Sequence, residues 1–344
     1  MYINIVKMYS ILQNYSLKPF NTFGLDIKTD RYIALQSIKD IEQFTKSDEF
    51  QIKPRLVLGG GSNLLFTHDF NGLIIHPVLK GMEMILEDDD YIYAKAYSGE
   101  NWDTFVECTV VKGYGGLENL SYIPGNVGAC PIQNIGAYGV EVQESIVKVE
   151  GVNLLSGSYF EMSNSDCQFG YRDSIFKRTL KDQTLITAVT FKLSKFPKIN
   201  VGYENVTEEL KKYPEKNIET VRKAIISIRK NKLPDPKETG NAGSFFKNPI
   251  IDITHFEALR NENPEIQGFP ATEQQVKISA AWLIDHCGWK GYRKGDAGVH
   301  VNQPLVLVNY GSATGKDILD LARQIQQSVK KTFNINLEME VNFI

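Results

Sequence analysis

A glycine-rich segment offers a backbone that can contact a ligand directly. Residues 59–64 read GGGSNL and follow a short apolar stretch that is typical of a β-strand. Glycine permits positive φ and a close approach to a ligand, and successive free N–H groups can form an anion-binding nest. The segment lacks the glycine that a dinucleotide fingerprint needs at Leu64, and it is not a P-loop. A plain glycine turn stays the alternative to a ligand loop.

A second segment, residues 121–139, combines four glycines and two prolines with apolar residues. This composition excludes a regular element of any length, yet Ile123, Val127 and Ile135 are too apolar for a solvated linker. A buried loop must pair its backbone polar groups, and long loops in compact domains are usually functional or disordered. The segment predicts a loop that lies along a large polar and aromatic cofactor, with a purely structural loop as the alternative.

Several longer strings in the sequence resemble one enzyme family. In chain order they are GGGSNLL, SYIPGNVGACPIQNIGAYG, FGYRDSIFK, KLPDPK, GNAGSFFKNP, AAWLIDHCGWKG and LEMEVNFI. They closely resemble the MurB family, the UDP-N-acetylenolpyruvoylglucosamine reductases, and the resemblance runs from about Leu17 onwards. The GAYG string and the region of Tyr203 resemble the type I branch, which has an extra tyrosine-bearing loop.

The resemblance implies a fold, a domain order and a reaction. The fold is α+β, with a two-part FAD-binding module of the vanillyl-alcohol oxidase (PCMH) type followed by a smaller α+β substrate-binding domain. The FAD-binding subdomains are residues 17–80 and 81–216, and the substrate domain is residues 217–344, whose last strand returns to the active site. The reaction reduces UDP-N-acetylglucosamine enolpyruvate to UDP-N-acetylmuramate in peptidoglycan precursor synthesis. Hydride passes from NADPH through noncovalent FAD to C3, and C2 is then protonated.

The resemblance implies that both glycine-rich segments bind FAD. The implied FAD-binding residues are Gly59, Gly60, Gly61, Ser62, Asn63, Leu64, Pro124, Gly125, Gly128, Ala129, Gln133, Asn134, Ile135 and Gly136. Cys130 lies within the second segment, where an oxidation-prone thiol would be a liability rather than a functional group.

The implied reaction needs a proton source for C2 and a group that stabilises the charge developing there. Ser244 matches the family's proton donor, although a serine hydroxyl is a weak acid and needs a nearby charge or water. Arg172 presents a fork suited to a carboxylate or an enolate. By residue type alone, Ser244 could merely satisfy a turn and Arg172 could pair with Asp173. Glu338 and Glu340 could share a solvated strand face; the resemblance selects Glu340 as catalytic.

The substrate's diphosphate requires positive charge. The resemblance assigns this contact to Lys232, with Tyr203 closing over it. A cation at the end of a helix is favourable regardless of function, so a helix-end charge is the alternative for Lys232. Asn248, Lys290 and Gln303 also match substrate-site positions of the family.

Hydrophobic periodicity predicts the elements that position these residues. Strands are predicted at 55–58, 72–77, 91–97, 147–155, 159–162, 185–193, 305–308 and 336–343. Helices are predicted at 37–46, 101–112, 217–231, 252–261 and 276–287, and a long helix opens with Thr314 and Asp317 in capping-box register. The first dozen residues are interpreted as a frayed extension.

Composition restricts the class of protein. A chain of 344 residues indicates two or three domains. The net charge of −3 disfavours nucleic-acid binding, which needs a basic surface. No run approaches the ~20 apolar residues of a membrane span, and no signal peptide is visible, so a cytoplasmic monomer is expected. Its partners would be NADPH and the UDP-sugar.

The four cysteines indicate free thiols, because they are too few and too widely spaced for a disulfide scaffold. The dipeptide His286-Cys287 has no second pair of ligands at metal-site spacing, so structural histidines and no metal are expected. No residue matches a covalent link to FAD.

Two alternative functions stay open. The first is a flavin oxidase of the same superfamily that acts on a small alcohol or hydroxy acid. The second is an inactive homologue that only binds a UDP-sugar, which would be expected to lack at least one of Ser244, Arg172 and Glu340. All three are present.

Overall fold

The structure, a computed structural model, describes residues 9–344. These residues form two compact units. Unit 1 comprises residues 9–16, 28–61 and 70–229, and unit 2 comprises residues 17–27, 62–69 and 230–344. The domain boundaries inferred from the sequence stay predictions.

The helices of the described chain are α1 Ile38–Thr45, α2 Trp102–Val111, α3 Glu204–Leu210, α4 Ile218–Lys232, α5 Ile253–Glu262, α6 Ala280–His286 and α7 Gly315–Phe333. The strands are β1 Ile11–Ser16, β2 Lys28–Leu35, β3 Arg55–Val57, β4 Leu64–Leu65, β5 Phe70–Pro77, β6 Met82–Glu87, β7 Tyr91–Tyr97, β8 Gly136–Ala137, β9 Val140–Glu141, β10 Ile146–Asn153, β11 Tyr159–Ser163, β12 Thr184–Ser194, β13 Gly240–Ser244, β14 Ile250–Asp252, β15 Gly268–Pro270, β16 Gln275–Ile278, β17 Arg293–Lys294, β18 Ala297–Val299, β19 Val306–Asn309 and β20 Asn342–Phe343.

Unit 1 is built on two larger sheets. The first has the strand order β1-β2-β5-β3, and the second is antiparallel with the order β11-β10-β12-β7-β6. Strand β7 alternates buried and half-buried residues, as expected when one face of a sheet packs on a core. The buried rings of Trp102, Phe105 and Phe191 pack together with centroids 4.9–6.1 Å apart, which anchors α2 on strand β12.

Unit 2 has a four-stranded sheet of order β13-β19-β18-β17 and a three-stranded sheet of order β14-β16-β15. Helix α7 covers its core with a buried stripe that includes Ile318, Ala322, Ile325 and Val329. Strand β20 pairs in parallel with β4. Unit 2 is therefore assembled from three separate stretches of sequence.

Most predicted elements are confirmed within one or two residues. Helix α1 carries a capping box between Ser37 and Asp40, and α7 carries the predicted one between Thr314 and Asp317. Such caps pair the first N–H groups of a helix, which have no partner within it.

Three predictions are wrong in part. The predicted helix 276–287 divides into β16 and α6, because Val276 and Ile278 enter a sheet and Ser279 then caps α6 through the Trp282 N–H. Of the predicted strand 336–343, only Asn342–Phe343 forms a strand, and Met339 makes an isolated bridge with Phe246. Of the predicted frayed extension, residues 1–8 lie outside the described chain, whereas Ile11 and Leu12 pair with β2.

Candidate functional site

The two predicted FAD loops contact each other within unit 1. A Cβ added to Gly60 would lie 2.9 Å from the Gly125 Cα and 3.2 Å from Asn126 Oδ1. A Cβ added to Gly59 would lie 3.7 Å from the Ala129 Cβ. The absence of side chains at residues 59 and 60 therefore lets the backbone of the first loop lie directly against the second.

The second loop is fixed by hydrogen bonds beneath a half-buried backbone. Asn134 is fully buried and adopts φ of 46°. Its Nδ2 donates to Glu141 Oε2 at 2.8 Å and to the Gly170 carbonyl at 2.9 Å, while its Oδ1 accepts from the Gln143 N–H at 3.1 Å. A left-handed conformation outside glycine is uncommon and concentrates at functional sites. Asn134 thus supports the loop from within.

This arrangement fits an FAD site. The glycines at 59, 60, 125, 128 and 136 are half-buried, so their backbone stays accessible, while Val127 and Cys130 anchor the loop in the core. A Cβ on Gly128 would lie 2.5 Å from the Ser98 Cβ, so only glycine permits this packing. Adjoining loops whose glycines leave the backbone accessible suit a long cofactor that approaches the main chain.

Arg172 lies against the second loop. It adopts φ of 53° in a tight turn closed by two hydrogen bonds between Gly170 and Asp173. Its Nη2 donates to the Gly136 carbonyl, and a Cβ on Gly136 would lie 2.6 Å from its Nη1. Asp173 pairs with Arg178. The contact with the Gly136 carbonyl favours a role for Arg172 at the loop, and the pair with Asp173 stays the alternative.

The exposed ring of Tyr203 packs on the far end of the same loop. Its ring meets that of Tyr138 edge-on, with centroids 6.1 Å apart. A Cβ on Gly139, which has φ of 80°, would lie 3.3 Å from the Tyr203 ring. The predicted tyrosine-bearing segment thus rests on residues 138–139.

In unit 2, a distorted strand edge presents Ser244. Strand β13 is irregular in register between Asn241 and Ser244, and Gly243 has φ of 69°. The buried Asn241 accepts the Gly243 N–H at 2.9 Å and donates to the carbonyls of Pro234 and Thr239. Such irregularities re-aim a side chain, so Asn241 and Gly243 together set the direction of the half-buried Ser244.

Glu340 lies on the chain segment next to Ser244. The Glu340 N–H donates to the Phe245 carbonyl at 2.8 Å, and the Glu340 carbonyl accepts from Asn63 Nδ2 at 3.2 Å. Glu338 is exposed and pairs with Lys247 at 2.5 Å. The structure therefore distinguishes the two glutamates: Glu338 forms a surface ion pair, while Glu340 is half-buried and its backbone bonds to Phe245, which follows Ser244 in the chain.

The remaining predicted residues of unit 2 differ in the hydrogen bonds and ion pairs that their side chains form. Lys232 is exposed at the end of α4. Asn248 Oδ1 accepts the Ala280 N–H at 3.0 Å, which caps α6. Lys290 Nζ lies 3.4 Å from Asp285 Oδ2, and Gln303 Oε1 accepts the Leu305 N–H at 3.4 Å. Lys290 and Gln303 are thus lightly held, whereas Asn248 has a structural contact of its own.

Two polar residues were missed by the sequence analysis. Arg229 Nε donates to the Tyr122 carbonyl at 2.9 Å, and its guanidinium bonds the Tyr138 side chain while burial lowers its pKa. Asn119 is 1% exposed and contacts the same loop. Two features of the sequence could have indicated them: Arg229 is a charged residue within the apolar stripe of α4, and Asn119 is a polar residue next to Leu120.

The cysteines and histidines show no site of their own. Cys130 is buried, and burial raises the pKa of its thiol well above the usual value, which disfavours the predicted susceptibility to oxidation. His286 stacks on Trp282 with centroids 4.7 Å apart. Across residues 9–344, no cluster of three or more His, Cys, Asp and Glu side chains is placed to hold a metal ion.

Comparison with protein families identifies the class. Residues 29–163 match the model of the FAD binding domain, and residues 235–344 match that of the UDP-N-acetylenolpyruvoylglucosamine reductase C-terminal domain. The protein is an FAD-containing oxidoreductase with a PCMH-type FAD-binding module, as predicted. No helix among the described residues is long and apolar enough to cross a membrane.

Relatives over nearly the whole chain specify the family. The UDP-N-acetylenolpyruvoylglucosamine reductase of Flavobacterium johnsoniae is 47% identical over 97% of this chain and 99% of its own. That of Chromobacterium violaceum is 45% identical over 94% and 96%. The crystal structure of the Thermus caldophilus reductase (MurB) covers 97% of this chain and 98% of its own, with a TM-score of 0.66 at 24% identity, which supports the fold. The chain belongs to the UDP-N-acetylenolpyruvoylglucosamine reductase (MurB) family.

Proposed function

We propose that this protein reduces UDP-N-acetylglucosamine enolpyruvate to UDP-N-acetylmuramate with electrons from NADPH. The observation that carries the proposal is the 2.8 Å hydrogen bond from the Glu340 N–H to the Phe245 carbonyl, which joins the backbone of Glu340 to the residue that follows Ser244. A hydroxyl and a carboxylate on adjoining segments can deliver a proton to a substrate carbon. The reduction serves peptidoglycan precursor synthesis.

The residues of each unit have separate tasks in this proposal. Bound FAD supplies the two-electron carrier between NADPH and the enolpyruvyl group. The two glycine loops hold FAD through their backbone. Arg172 stabilises the negative charge that develops next to the substrate carboxylate, because its fixed guanidinium needs no rearrangement as the charge appears.

Proton delivery is the task of Ser244 and Glu340. Ser244 protonates C2, and its hydroxyl needs a neighbour that replaces the lost proton because serine is a weak acid. Glu340 is the carboxyl held on the adjoining segment, so it supports Ser244 in this role. Lys232 and Tyr203 bind the diphosphate, and Asn248, Lys290 and Gln303 contact other parts of the UDP-sugar.

The predicted domains, residues 17–80, 81–216 and 217–344, belong to this proposal as functional divisions for FAD and substrate. A monomer in the cytoplasm is the proposed form, because NADPH and nucleotide sugars are found there. The oxidase alternative is not favoured, since relatives that span the whole chain are named as reductases.

An anaerobic experiment tests the proposal. The purified protein is expected to be yellow and to release FAD on acid precipitation. NADPH should bleach the flavin absorbance, and UDP-N-acetylglucosamine enolpyruvate should restore it with formation of UDP-N-acetylmuramate. Restoration by oxygen but not by the enolpyruvyl substrate would support the oxidase instead.

A further inference from the structure

The buried side chain of Asn119 joins two segments of unit 1. Its Nδ2 donates to the carbonyls of Tyr138 and Asn200, both at 3.0 Å. Tyr138 lies at the end of the glycine-rich loop, and Asn200 precedes Tyr203 by three residues. One amide group therefore sets the distance between the loop and the segment that carries Tyr203.

The segment that begins at Asn200 has one further hydrogen bond to the loop, and apolar packing also joins the two, since Tyr138 and Val201 pack against the same buried cluster. Asn200 Nδ2 donates to the Gly139 carbonyl at 3.4 Å, and Asn200 Oδ1 accepts the Gly202 N–H at 3.2 Å. Both of these bonds are exposed, so water competes with them. The two bonds from the buried Asn119 are therefore the better protected hydrogen bonds between the loop and the segment that leads to Tyr203.

An asparagine at position 119 destabilises the fold through its unpaired Oδ1. The two hydrogen bonds that its Nδ2 donates are the reason that this residue type is nevertheless suited to the position. Its Oδ1 is buried and has no hydrogen-bond partner among the described residues. An unpaired buried acceptor destabilises the folded state, and an apolar residue of similar size would avoid that cost. The opposite orientation of the amide would place Oδ1 against two carbonyl oxygens. The two N–H donors are thus the function of this side chain.

We propose that Asn119 is a positioning residue for substrate binding, which holds Tyr203 against Tyr138 and Gly139 so that its ring is in place for the diphosphate of the UDP-sugar. This inference rests on the proposed function, in which Tyr203 contacts that diphosphate. Asn119 acts on substrate affinity through Tyr203 and not on electron transfer from NADPH.

The test compares substrate affinity with the NADPH step in Asn119→Leu, which keeps the branched shape with a larger volume and removes both donors. We expect KM for UDP-N-acetylglucosamine enolpyruvate to rise about tenfold, as the loss of two hydrogen bonds to neutral groups implies. The rate at which NADPH bleaches the flavin should stay within twofold. Asn119→Ser, which keeps one donor, should give an intermediate KM and serves as the test if Asn119→Leu does not fold.

A matched control separates positioning from general destabilisation. Asn21 in unit 2 is also buried, and its Nδ2 donates to the carbonyls of Leu17 and Leu25 at 2.9 and 3.0 Å. Asn21→Leu should lower the unfolding temperature as Asn119→Leu does, while KM stays unchanged. A folded Asn119→Leu protein with wild-type KM would overturn the inference.

A double-mutant cycle shows whether Asn119 acts through Tyr203. In a Tyr203→Ala background, Asn119→Leu should raise KM less than twofold further. A full tenfold rise in that background would refute the positioning role. Failure of the wild-type protein to reduce the enolpyruvyl substrate would instead refute the proposed function, so the two failures are distinguishable.

Discussion

Gly60 and Gly125 lie so close that a Cβ on Gly60 would be only 2.9 Å from the Gly125 Cα. Two glycine-rich segments that are 65 residues apart in the sequence therefore form one surface in unit 1. A methyl group at residue 60 would push against backbone, which yields less easily than the end of a flexible side chain. The spacing of the two loops depends on this contact.

Gly60→Ala is accordingly expected to weaken FAD binding. Overpacking costs about 1–3 kcal/mol, which corresponds to a roughly 5- to 150-fold higher Kd for FAD. Titration of the apoprotein with FAD, followed by flavin fluorescence, measures the change. Gly113→Ala is the control, because a Cβ there meets no atom within 4 Å and tests only the loss of a turn glycine. Equal FAD affinity in both variants would contradict the proposed role of the contact.

Ser244→Ala should separate the two halves of the reaction. Bleaching of the flavin by NADPH needs no proton on a substrate carbon and should keep its rate. Return of the flavin absorbance with the enolpyruvyl substrate should slow about 10²- to 10⁴-fold, the usual contribution of a positioned general acid. Stopped-flow absorbance times both halves, with the exposed Ser312→Ala as control. If both halves slow equally, Ser244 shapes the site and does not deliver the proton.

Lys232→Ala should raise KM for the UDP-sugar roughly 10- to 150-fold, because a charge-assisted hydrogen bond contributes about 1.5–3 kcal/mol. Steady-state kinetics with saturating NADPH measures this change in KM. Lys331 is the matched control, since it is an exposed lysine in the last turn of α7. If Lys331→Ala and Lys232→Ala leave KM equally unchanged, Lys232 is only a favourable charge at the end of a helix.

His76 should make unit 1 sensitive to mild acid. Burial and the charge of Lys80 lower the pKa of His76 to about 4, and its Nδ1 lies 2.6 Å from the Tyr32 hydroxyl. Below pH 6.5, the usual pKa of histidine, His76 binds a proton in the unfolded state but stays neutral in the folded state. The free energy of unfolding therefore falls as the pH drops from about 6.5 to about 4. The loss should reach about 2–3 kcal/mol at pH 4.5, at 1.36 kcal/mol per pKa unit.

Urea unfolding at pH 7.0, 5.5 and 4.5 tests this dependence. His76→Asn should lose less stability than the wild-type protein over that range, because its side chain cannot be protonated. The exposed His68 provides the comparison, and His68→Asn should follow the wild-type curve. An unchanged pH dependence in His76→Asn would assign the acid sensitivity to other groups.

Local chemistry determined which elements could be predicted from the sequence. The capping pair Thr314 and Asp317 marks the start of α7 because both partners lie within one turn. The helix predicted over 276–287 failed because Val276 and Ile278 are apolar in either structure, and only their pairing with distant strands makes them β16. Periodicity alone cannot separate short apolar runs of these two kinds.

The parts of the candidate site that lie in long motifs could be predicted. The parts that depend on contacts between residues far apart in the sequence were missed. The glycine segments could be found from composition. The support that Asn119 gives to Tyr138 and Asn200 spans up to 81 residues, and no local pattern encodes it. Likewise, the sequence could not separate Glu338 from Glu340 without the resemblance, because the pairing of Glu338 with Lys247 joins residues 91 positions apart.

The pairing of β20 with β4 places a demand on the newly made chain. Asn342 and Phe343 lie beside Leu64 and Leu65, so residues 64–65 emerge from the ribosome long before their neighbours exist. Closing so large a loop is entropically costly and slows folding. Until residues near 342 have been synthesised, Leu64 and Leu65 lack this pairing, and apolar groups exposed in an incomplete chain are aggregation-prone. A chain stalled before that point is therefore a natural client for chaperones, even when the strands of unit 1 have already paired.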